Sequence, residues 1–256
     1  MQAYFIEEYR APNVVRAKNL LTVHFAGCNY RCPSCNVPDT LEFKEEFLQD
    51  LRVLKKRITD ESRYVDMVLL TGGEPTLQRQ ALLDICRLCR KLELKIALDT
   101  NGSKPNVLQT LLEKSYIDYL ILDLKAPADE ALFQRATKSQ TFFLITRQII
   151  DDIKASIRII GEHKDKIQVE VRSLVVPGIV YRKEDLEGIG EMARPLECRW
   201  NLVQFWSNEG KVLGKSMQGV NPPTEKFLQT LQETLQKSFP ELQVGLLFKD
   251  DFLRER

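Results

Sequence analysis

Short apolar runs alternate along this chain with segments in which apolar residues recur every three or four positions. The runs predict buried β-strands, and the recurrences predict amphipathic helices. Strict alternation favours an α/β fold in which a parallel sheet carries helices on its outside, and right-handed crossovers curl such a sheet toward a barrel. About six units are too few for an eight-stranded barrel, so we predict a partial (β/α)6 barrel with an open side. The predicted strands are residues 20–26, 65–70, 95–98, 119–124, 168–176 and 200–205.

The remaining elements are predicted from apolar spacing and from chain length. The 256 residues fit one large domain, 1–256, with a core at about 20–205 and a C-terminal extension that ends in a helix and a strand at 242–248. The start of the chain, through Asn19, predicts a strand or loop leading in. A helix after the first strand is predicted from Phe43, Phe47, Leu51, Leu54 and Ile58. A long helical stretch before the fifth strand is predicted from Phe142, Ile145, Ile149, Ile153, Ile157 and Ile160.

Three cysteines, Cys28, Cys32 and Cys35, follow the first predicted strand in the spacing C-x3-C-x2-C. Thiolates are soft ligands that suit zinc, copper(I) or an iron–sulfur cluster. A closed zinc site needs a fourth Cys or His, and the nearby His24 lies in an apolar run, where it would face away from the loop or end the strand. Three protein ligands with one open position favour a metal centre that does chemistry. Three reduced cysteines in a loop are the alternative.

The overall composition excludes several classes of function. Lys and Arg number 37 against 36 Asp and Glu, which gives no support for general nucleic-acid binding or a membrane-surface role. We find neither a secretion signal nor a run of about eighteen apolar residues, so we expect a cytoplasmic protein. The six cysteines fit reduced thiols and metal binding better than a disulfide framework. Cys86 and Cys89 share one helix face and are predicted to pack in the core, and Cys198 is isolated.

Polar motifs follow the later strands, at the edge where α/β folds place their sites. Residues 71–75 read Thr-Gly-Gly-Glu-Pro. Gly72 and Gly73 expose backbone groups to a ligand, and Glu74 can accept a hydrogen bond from an ammonium group. A bare turn is the alternative for this motif.

Asp99-Thr100-Asn101-Gly102 and Asp123-Leu124-Lys125 end two neighbouring strands. Their side chains are predicted to meet over the barrel mouth, where two carboxylates, a hydroxyl and an ammonium can bind a zwitterion or a hard cation. Helix capping and surface ion pairing are the alternative for this pair of motifs. Arg172 is a permanent cation on a buried strand and needs an anionic partner, which a ligand carboxylate would supply. Pairing with Glu170 is disfavoured in this prediction, on the argument that adjacent strand residues point to opposite faces.

The cysteine loop after a first strand, followed one strand later by Gly-Gly-Glu-Pro, resembles the signature of the radical S-adenosylmethionine (SAM) enzymes. The resemblance implies a [4Fe–4S] cluster on the three cysteines, with the amino and carboxylate groups of SAM on the fourth iron. It also implies that residues 72–74 bind the SAM amino group. Many members place an aromatic residue near the adenine directly before the last cysteine, whereas this chain has Ser34.

The motifs at residues 98–102 and 122–125 resemble those of glycyl-radical enzyme activating enzymes, such as the pyruvate formate-lyase activating enzyme. In those enzymes the two Asp and the Thr help to hold a monovalent cation beside the SAM carboxylate, which here implies Asp99, Thr100 and Asp123. The activases also have an Arg before Val-Pro-Gly, which corresponds to Arg172. The resemblance therefore implies a SAM site that includes Thr100, Asn101, Asp123, Lys125 and Arg172.

One departure points to a particular branch of the activases. Residues 204–207 read Gln-Phe-Trp-Ser, where activases tend to place a His. This ending and the compact length are more similar to the second class of anaerobic ribonucleotide reductase activating proteins. The branch implies reductive cleavage of SAM to a 5'-deoxyadenosyl radical, which takes a hydrogen atom from a glycine of a partner enzyme. It also implies a flavodoxin- or ferredoxin-type electron donor, and a partner loop that enters the open side near Trp206.

Two other functions stay open at this point. The first is radical SAM chemistry on a small molecule or a modified nucleoside, as in 7-carboxy-7-deazaguanine synthase. The second is a non-catalytic cysteine-rich metal protein that holds zinc. That second function would leave the Gly-Gly-Glu-Pro and Asp-Thr-Asn-Gly motifs without a role.

Overall fold

The computed structural model describes residues 1–6, 19–142, 144–207 and 211–253 of the chain. Within these residues the strands are β1 (Gln2–Ile6), β2 (Leu20–Phe25), β3 (Leu48–Asp50), β4 (Met67–Gly72), β5 (Lys95–Thr100), β6 (Tyr119–Asp123), β7 (Gln168–Val175), β8 (Arg199–Gln204) and β9 (Gln243–Leu247). The helices are α1 (Leu51–Glu61), α2 (Arg79–Lys91), α3 (Pro105–Glu113), α4 (Glu130–Thr137), α5 (Thr146–Gly161), α6 (Lys183–Ala193), α7 (Glu225–Ser238) and α8 (Lys249–Leu253).

These strands form one sheet in the order β3-β1-β2-β4-β5-β6-β7-β8-β9. From β2 through β9 every neighbouring pair is parallel, whereas β1 runs antiparallel to both β2 and β3. β3 and β9 are the two edges, so the sheet does not close. The predicted α/β fold with an open, partial barrel is confirmed. The C-terminal strand β9 extends the parallel sheet beyond the six predicted units.

The two faces of the sheet have different surroundings because alternate strand residues point to opposite sides. On β2, Leu21 and Phe25 point outward into the main core beneath the helices. On the inner face, Leu69, Ala97 and Ile121 form a separate small apolar cluster. Two residues further along these strands the inner positions become polar. The small cluster is therefore the floor beneath the carboxyl ends of the strands.

The helix predicted over residues 43–58 starts later than predicted. The Asp50 carboxylate accepts a hydrogen bond from the Arg52 backbone N–H at 2.9 Å, and this N-cap fixes the start of α1. The residues before it form a short 3₁₀ turn and the strand β3. Phe43 instead packs edge-on against Tyr4, with ring centroids 5.1 Å apart. Its helical spacing from the later apolar residues was therefore misleading.

The long helical stretch predicted over residues 142–160 is also divided. α4 ends at Thr137, and its C-cap residue Lys138 has the left-handed conformation typical of a helix C-terminus (φ 44°). Phe142 lies in the connection and is 95% exposed, and Ile145 precedes the first residue of α5. The buried face of α5 carries the remaining predicted residues, Ile149, Ile153, Ile157 and Ile160.

Three smaller predictions concern the start of the chain, the helical cysteines and the membrane. Residues 2–6 form β1, and residues 7–18 of the predicted lead-in lie outside the described residues. Cys86 and Cys89 are fully buried free thiols on α2, which confirms their place in the core. In the part of the chain that the structure describes, no helix has the length and apolar character needed to cross a membrane.

Candidate active site

One cavity of about 220 Å³ lies at the carboxyl ends of the parallel strands. Its walls come from β2 and from β4 through β8, because the curled sheet brings the ends of neighbouring strands together. The cavity is lined by every residue that the sequence predicted for the site: Cys28, Cys32, Cys35, Gly72, Gly73, Glu74, Asp99, Thr100, Asn101, Asp123, Lys125 and Arg172.

The cysteine loop is fixed to the rest of the molecule by its main chain. The Cys28 N–H donates to the carbonyl oxygen of Leu41 at 3.0 Å, and the Arg31 N–H donates to that of Thr137 at 2.8 Å. These two bonds tie the loop to the segment before α1 and to the end of α4. The loop is therefore placed by segments far from it in sequence.

A further segment, residues 211–217, holds the loop from the other side; we call it the strap. The Leu213 N–H donates to the Cys35 carbonyl oxygen at 3.0 Å, and the Gly214 N–H donates to that of Pro33 at 2.9 Å. Val212 anchors the strap in a small apolar cluster beyond the end of β8. The strap thus links the end of β8 to the cysteine loop.

The Gly-Gly turn after β4 lies directly against the start of the cysteine loop. Gly72 has φ +121°, and a Cβ atom there would lie 2.2 Å from the Phe25 carbonyl oxygen. A Cβ atom on Gly73 would lie 2.2 Å from the Gly27 carbonyl oxygen. The Glu74 N–H donates to that same Gly27 oxygen at 2.8 Å. Neither position accepts a side chain, so the close approach of β2 and β4 requires both glycines.

The Glu74 carboxylate is fully buried and is used by the protein itself. It accepts hydrogen bonds from the N–H and hydroxyl of Thr76, from the Thr100 hydroxyl at 2.8 Å and from the Asn101 N–H at 2.7 Å. Burial raises the pKa of this carboxyl, and these hydrogen bonds oppose the rise. The Asn101 amide also donates to Asn29 in the cysteine loop at 3.0 Å. Glu74 therefore joins the ends of β4 and β5, a role that the sequence analysis missed.

The residues predicted to hold a cation are only partly brought together. Asp99 accepts a hydrogen bond from the Thr71 hydroxyl at 3.1 Å, and Asp123 forms an ion pair with Lys125. Burial, together with the nearby Asp123 charge, raises the pKa of Asp99. The Thr100 hydroxyl points away, toward the turn after β4, because neighbouring strand residues face opposite sides. The two carboxylates share the cavity without that hydroxyl.

Arg172 lies on β7, and its Nε donates to the Glu170 carboxylate at 2.6 Å. The prediction that disfavoured this pair was wrong, because residues two apart in a strand point to the same face. The Arg172 guanidinium also lies 6.0 Å from the centroid of the Phe252 ring, and both residues line the cavity. The buried Arg172 guanidinium therefore pairs with Glu170 and also lies at the wall of the cavity.

Comparison with known proteins identifies the family. Residues 22–189 match the family model described as the Radical SAM superfamily, which is more than half of the chain. The chain belongs to the radical SAM superfamily. Membership implies an enzyme that uses a [4Fe–4S] cluster and SAM.

Two relatives agree with this membership, and a solved structure has a similar fold. A Methanocaldococcus jannaschii protein named as a glycyl-radical enzyme activating enzyme is 31% identical over 186 residues, 70% of this chain and 69% of that protein. The pyruvate formate-lyase-activating enzyme of Clostridium pasteurianum is 27% identical over 176 residues, 67% of this chain and 68% of that enzyme. The crystal structure of Streptococcus suis SuiB bound to SAM has a similar fold, with a TM-score of 0.65 and 13% identity. That match covers 93% of this chain and 52% of SuiB, so the chain spans about half of that protein.

The three cysteines lie together on the wall of the radical SAM cavity, and their soft thiolates suit an iron–sulfur cluster. They are half-buried free thiols on the cavity wall. Among the residues that the structure describes, no three His, Cys, Asp or Glu side chains are placed to hold one metal ion. An iron–sulfur cluster takes each thiolate on a different iron. Burial raises the pKa of Cys28 and of Cys32 to about 12, so both must lose a proton when iron binds.

Aromatic residues complete the radical SAM cavity. Trp206 is buried at the cavity wall, and within the described residues its Nε1 has no hydrogen-bond partner. Phe252 of α8 packs against Trp206, with ring centroids 5.0 Å apart. Tyr30 lines the cavity within the cysteine loop. Phe252 was missed because it follows the last predicted strand, outside the segment that resembles the family.

We expect the buried His24 to make this radical SAM fold less stable in acid. Burial on β2 lowers the pKa of His24 from 6.5 to about 4. Between about pH 4 and pH 6.5 the unfolded chain binds more protons at His24 than the folded chain does. The contribution of neutral His24 to the free energy of unfolding is therefore greatest above about pH 6.5 and falls as the pH drops. From pH 6.5 to 5 the free energy of unfolding of the wild type should fall by about 2 kcal/mol relative to that of His24→Gln.

Urea unfolding of the metal-free protein at these two pH values measures the difference. His163→Gln, which changes the other histidine of the chain, is the matched control and should follow the wild type. Equal pH dependence of the wild type and His24→Gln would contradict the assignment.

Proposed function

We propose that this radical SAM protein installs a glycyl radical on a partner enzyme, such as an anaerobic ribonucleotide reductase. The observation that carries the proposal is the single cavity that brings together three cysteines, the Gly-Gly turn and Arg172. The names of its relatives, a glycyl-radical enzyme activating enzyme and a pyruvate formate-lyase-activating enzyme, support it.

In this proposal each part of the cavity has a separate role. The three cysteines hold the cluster, the backbone of residues 72–73 accepts the ammonium group of SAM, and Arg172 binds the carboxylate. When bound, the reduced cluster supplies the electron that cleaves SAM to methionine and a 5'-deoxyadenosyl radical. Glu74 keeps the Gly-Gly turn in place, because its carboxylate joins β4 to β5 and its backbone N–H donates to Gly27 at the start of the cysteine loop. The apolar floor around Leu69 keeps water from the reacting atoms.

The proposal includes a monovalent cation between Asp99 and Asp123. Two carboxylates in one buried cavity repel each other, and a bound cation relieves that repulsion beyond what Lys125 achieves. The Thr71 hydroxyl, 3.1 Å from Asp99, is the oxygen ligand that we propose in place of Thr100.

The proposal also assigns an electron source and a compartment. A flavodoxin- or ferredoxin-type protein supplies the electron. A cytoplasmic setting would keep the six cysteines reduced, which suits thiols that hold a metal centre.

An anaerobic assay with the partner tests the proposal. The iron- and sulfide-reconstituted protein is mixed with SAM, dithionite and an anaerobic ribonucleotide reductase. We expect 5'-deoxyadenosine together with a glycyl-radical signal in electron paramagnetic resonance, and no such signal when the radical-site glycine of the reductase is replaced by alanine. 5'-Deoxyadenosine formed with consumption of a small nucleoside and no protein radical would support the small-molecule alternative. A protein that binds zinc and takes up no iron would contradict both functions.

A further inference from the structure

A buried polar network lies below Arg172, on the inner face of β6, β7 and β8. The Glu170 carboxylate accepts hydrogen bonds from Arg172 Nε at 2.6 Å, from Asn201 Nδ2 at 2.8 Å and from the Tyr119 hydroxyl. Glu170 and Asn201 are each 4% exposed. Three donors therefore converge on one carboxylate below the cavity wall.

The strand register produces this convergence. Glu170 lies opposite Ile121 of β6, and Arg172 lies opposite both Asp123 and Asn201. Since side chains alternate, Tyr119 and Asn201 point to the same inner face as Glu170 and Arg172. Every side chain of the network thus belongs to a strand of the sheet, and the strand pairing fixes its position.

The neighbouring strand β9 makes room for the network. Gly245 lies opposite Asn201, and a Cβ atom on Gly245 would lie 2.3 Å from Asn201 Oδ1. A side chain there would displace the amide that donates to Glu170. The network therefore requires a glycine at position 245.

The network restricts Arg172 more than charge neutralisation alone requires. A lone carboxylate near a guanidinium balances its charge but leaves the planar group free to turn. Here Nε is engaged on one side, and the acceptor is itself held by Tyr119 and Asn201. The Nε atom of Arg172 is therefore held in one place at the wall of the cavity that this residue lines. A fixed planar guanidinium suits a carboxylate, which it binds with two parallel hydrogen bonds.

We propose that Glu170 is a positioning residue which, with Tyr119 and Asn201, orients Arg172 to bind the carboxylate of the amino-acid part of SAM. This inference rests on the proposed function of Arg172. Glu170 does not touch the ligand in this account and acts only through the guanidinium. The alternative is that Glu170 serves only to neutralise a buried charge.

The two possibilities are separated by comparing a ligand with and without the carboxylate. Binding of SAM and of decarboxylated SAM to the cluster-loaded protein is measured by anaerobic calorimetry. Glu170→Gln should lower the affinity for SAM by about tenfold, which corresponds to the loss of one charge-assisted hydrogen bond. It should lower the affinity for decarboxylated SAM by less than about twofold. Equal weakening of both ligands, or unchanged affinity for SAM, would overturn the proposal.

Tyr119→Phe provides a milder variant in case Glu170→Gln does not fold. It removes one hydrogen-bond donor to Glu170 and keeps the aromatic ring. The affinity for SAM should therefore fall by about threefold, and the affinity for decarboxylated SAM should again be nearly unchanged. Tyr116→Phe is the matched control, because Tyr116 packs against the core outside the network and should leave both affinities as in the wild type. If the wild type itself binds no SAM, the proposed function fails. If it binds SAM and the network variants do not discriminate, only the positioning role fails.

Discussion

Replacing Cys32 with alanine is expected to abolish formation of 5'-deoxyadenosine, with a loss of more than about a hundredfold. Cys32 lines the cavity together with the two other cysteines of the loop, and in the proposed site each thiolate would hold a different iron. Two thiolates do not hold a cluster firmly, so iron and sulfide content should fall together with activity. Product is measured by chromatography after anaerobic reconstitution, and iron is measured on the same sample.

Cys86→Ala is the matched control for this experiment. Cys86 is a fully buried thiol on α2, where it packs in the core away from the cavity. Its replacement should leave the iron content and the 5'-deoxyadenosine yield at the wild-type level, with a loss of about 1 kcal/mol of stability from the small void. Wild-type product from Cys32→Ala would contradict the assignment of the cluster ligands.

Gly72→Ala is expected to destabilise the fold by more than about 3 kcal/mol. The new Cβ atom would lie 2.2 Å from the Phe25 carbonyl oxygen and 2.6 Å from its nitrogen, both in the backbone of β2. Backbone atoms in the middle of a sheet cannot move away as a flexible side chain does. The backbone angle, φ +121°, is itself unfavourable for alanine. β2 and β4 should therefore separate, and the cysteine loop should lose its support.

Gly219→Ala provides the comparison, because Gly219 also has a positive φ, +77°, but no atom lies within 4 Å of the added Cβ. It should cost only the conformational strain of alanine, about 1 kcal/mol. Urea unfolding of both metal-free variants gives the difference. Equal losses in the two variants would show that the contact between the Gly-Gly turn and β2 does not restrict this position.

The position of the cavity could be predicted from the sequence, because parallel strands end at one edge of the sheet and buried strands have a recognisable apolar pattern. Polar motifs at the carboxyl ends of strands meet at one edge, so Cys28, Asp99, Asp123 and Arg172 could be grouped without coordinates. Periodicity was equally informative for the buried strands. It failed where a local contact overrode it: Phe43 continues a helical spacing, yet its ring packs on Tyr4 instead.

Contacts between distant segments were beyond the sequence analysis. The hydrogen bonds of Glu74 depend on how closely β4 and β5 end together, which no spacing reports. The pairing of Glu170 with Arg172 could have been found, since a separation of two in a strand places both on one face. Phe252 reaches the cavity only because α8 follows the edge strand β9 and packs on Trp206.

The position of the cysteine loop depends partly on the strap, a segment that lies far from the loop in the sequence. The backbone N–H groups of Leu213 and Gly214 donate to the carbonyl oxygens of Cys35 and Pro33, so the last cysteine is tied to a segment that follows β8. The position of the Cys35 main chain therefore depends on two backbone N–H groups of the strap. A deletion in the strap would be expected to shift a proposed cluster ligand even though it removes no residue of the cysteine loop.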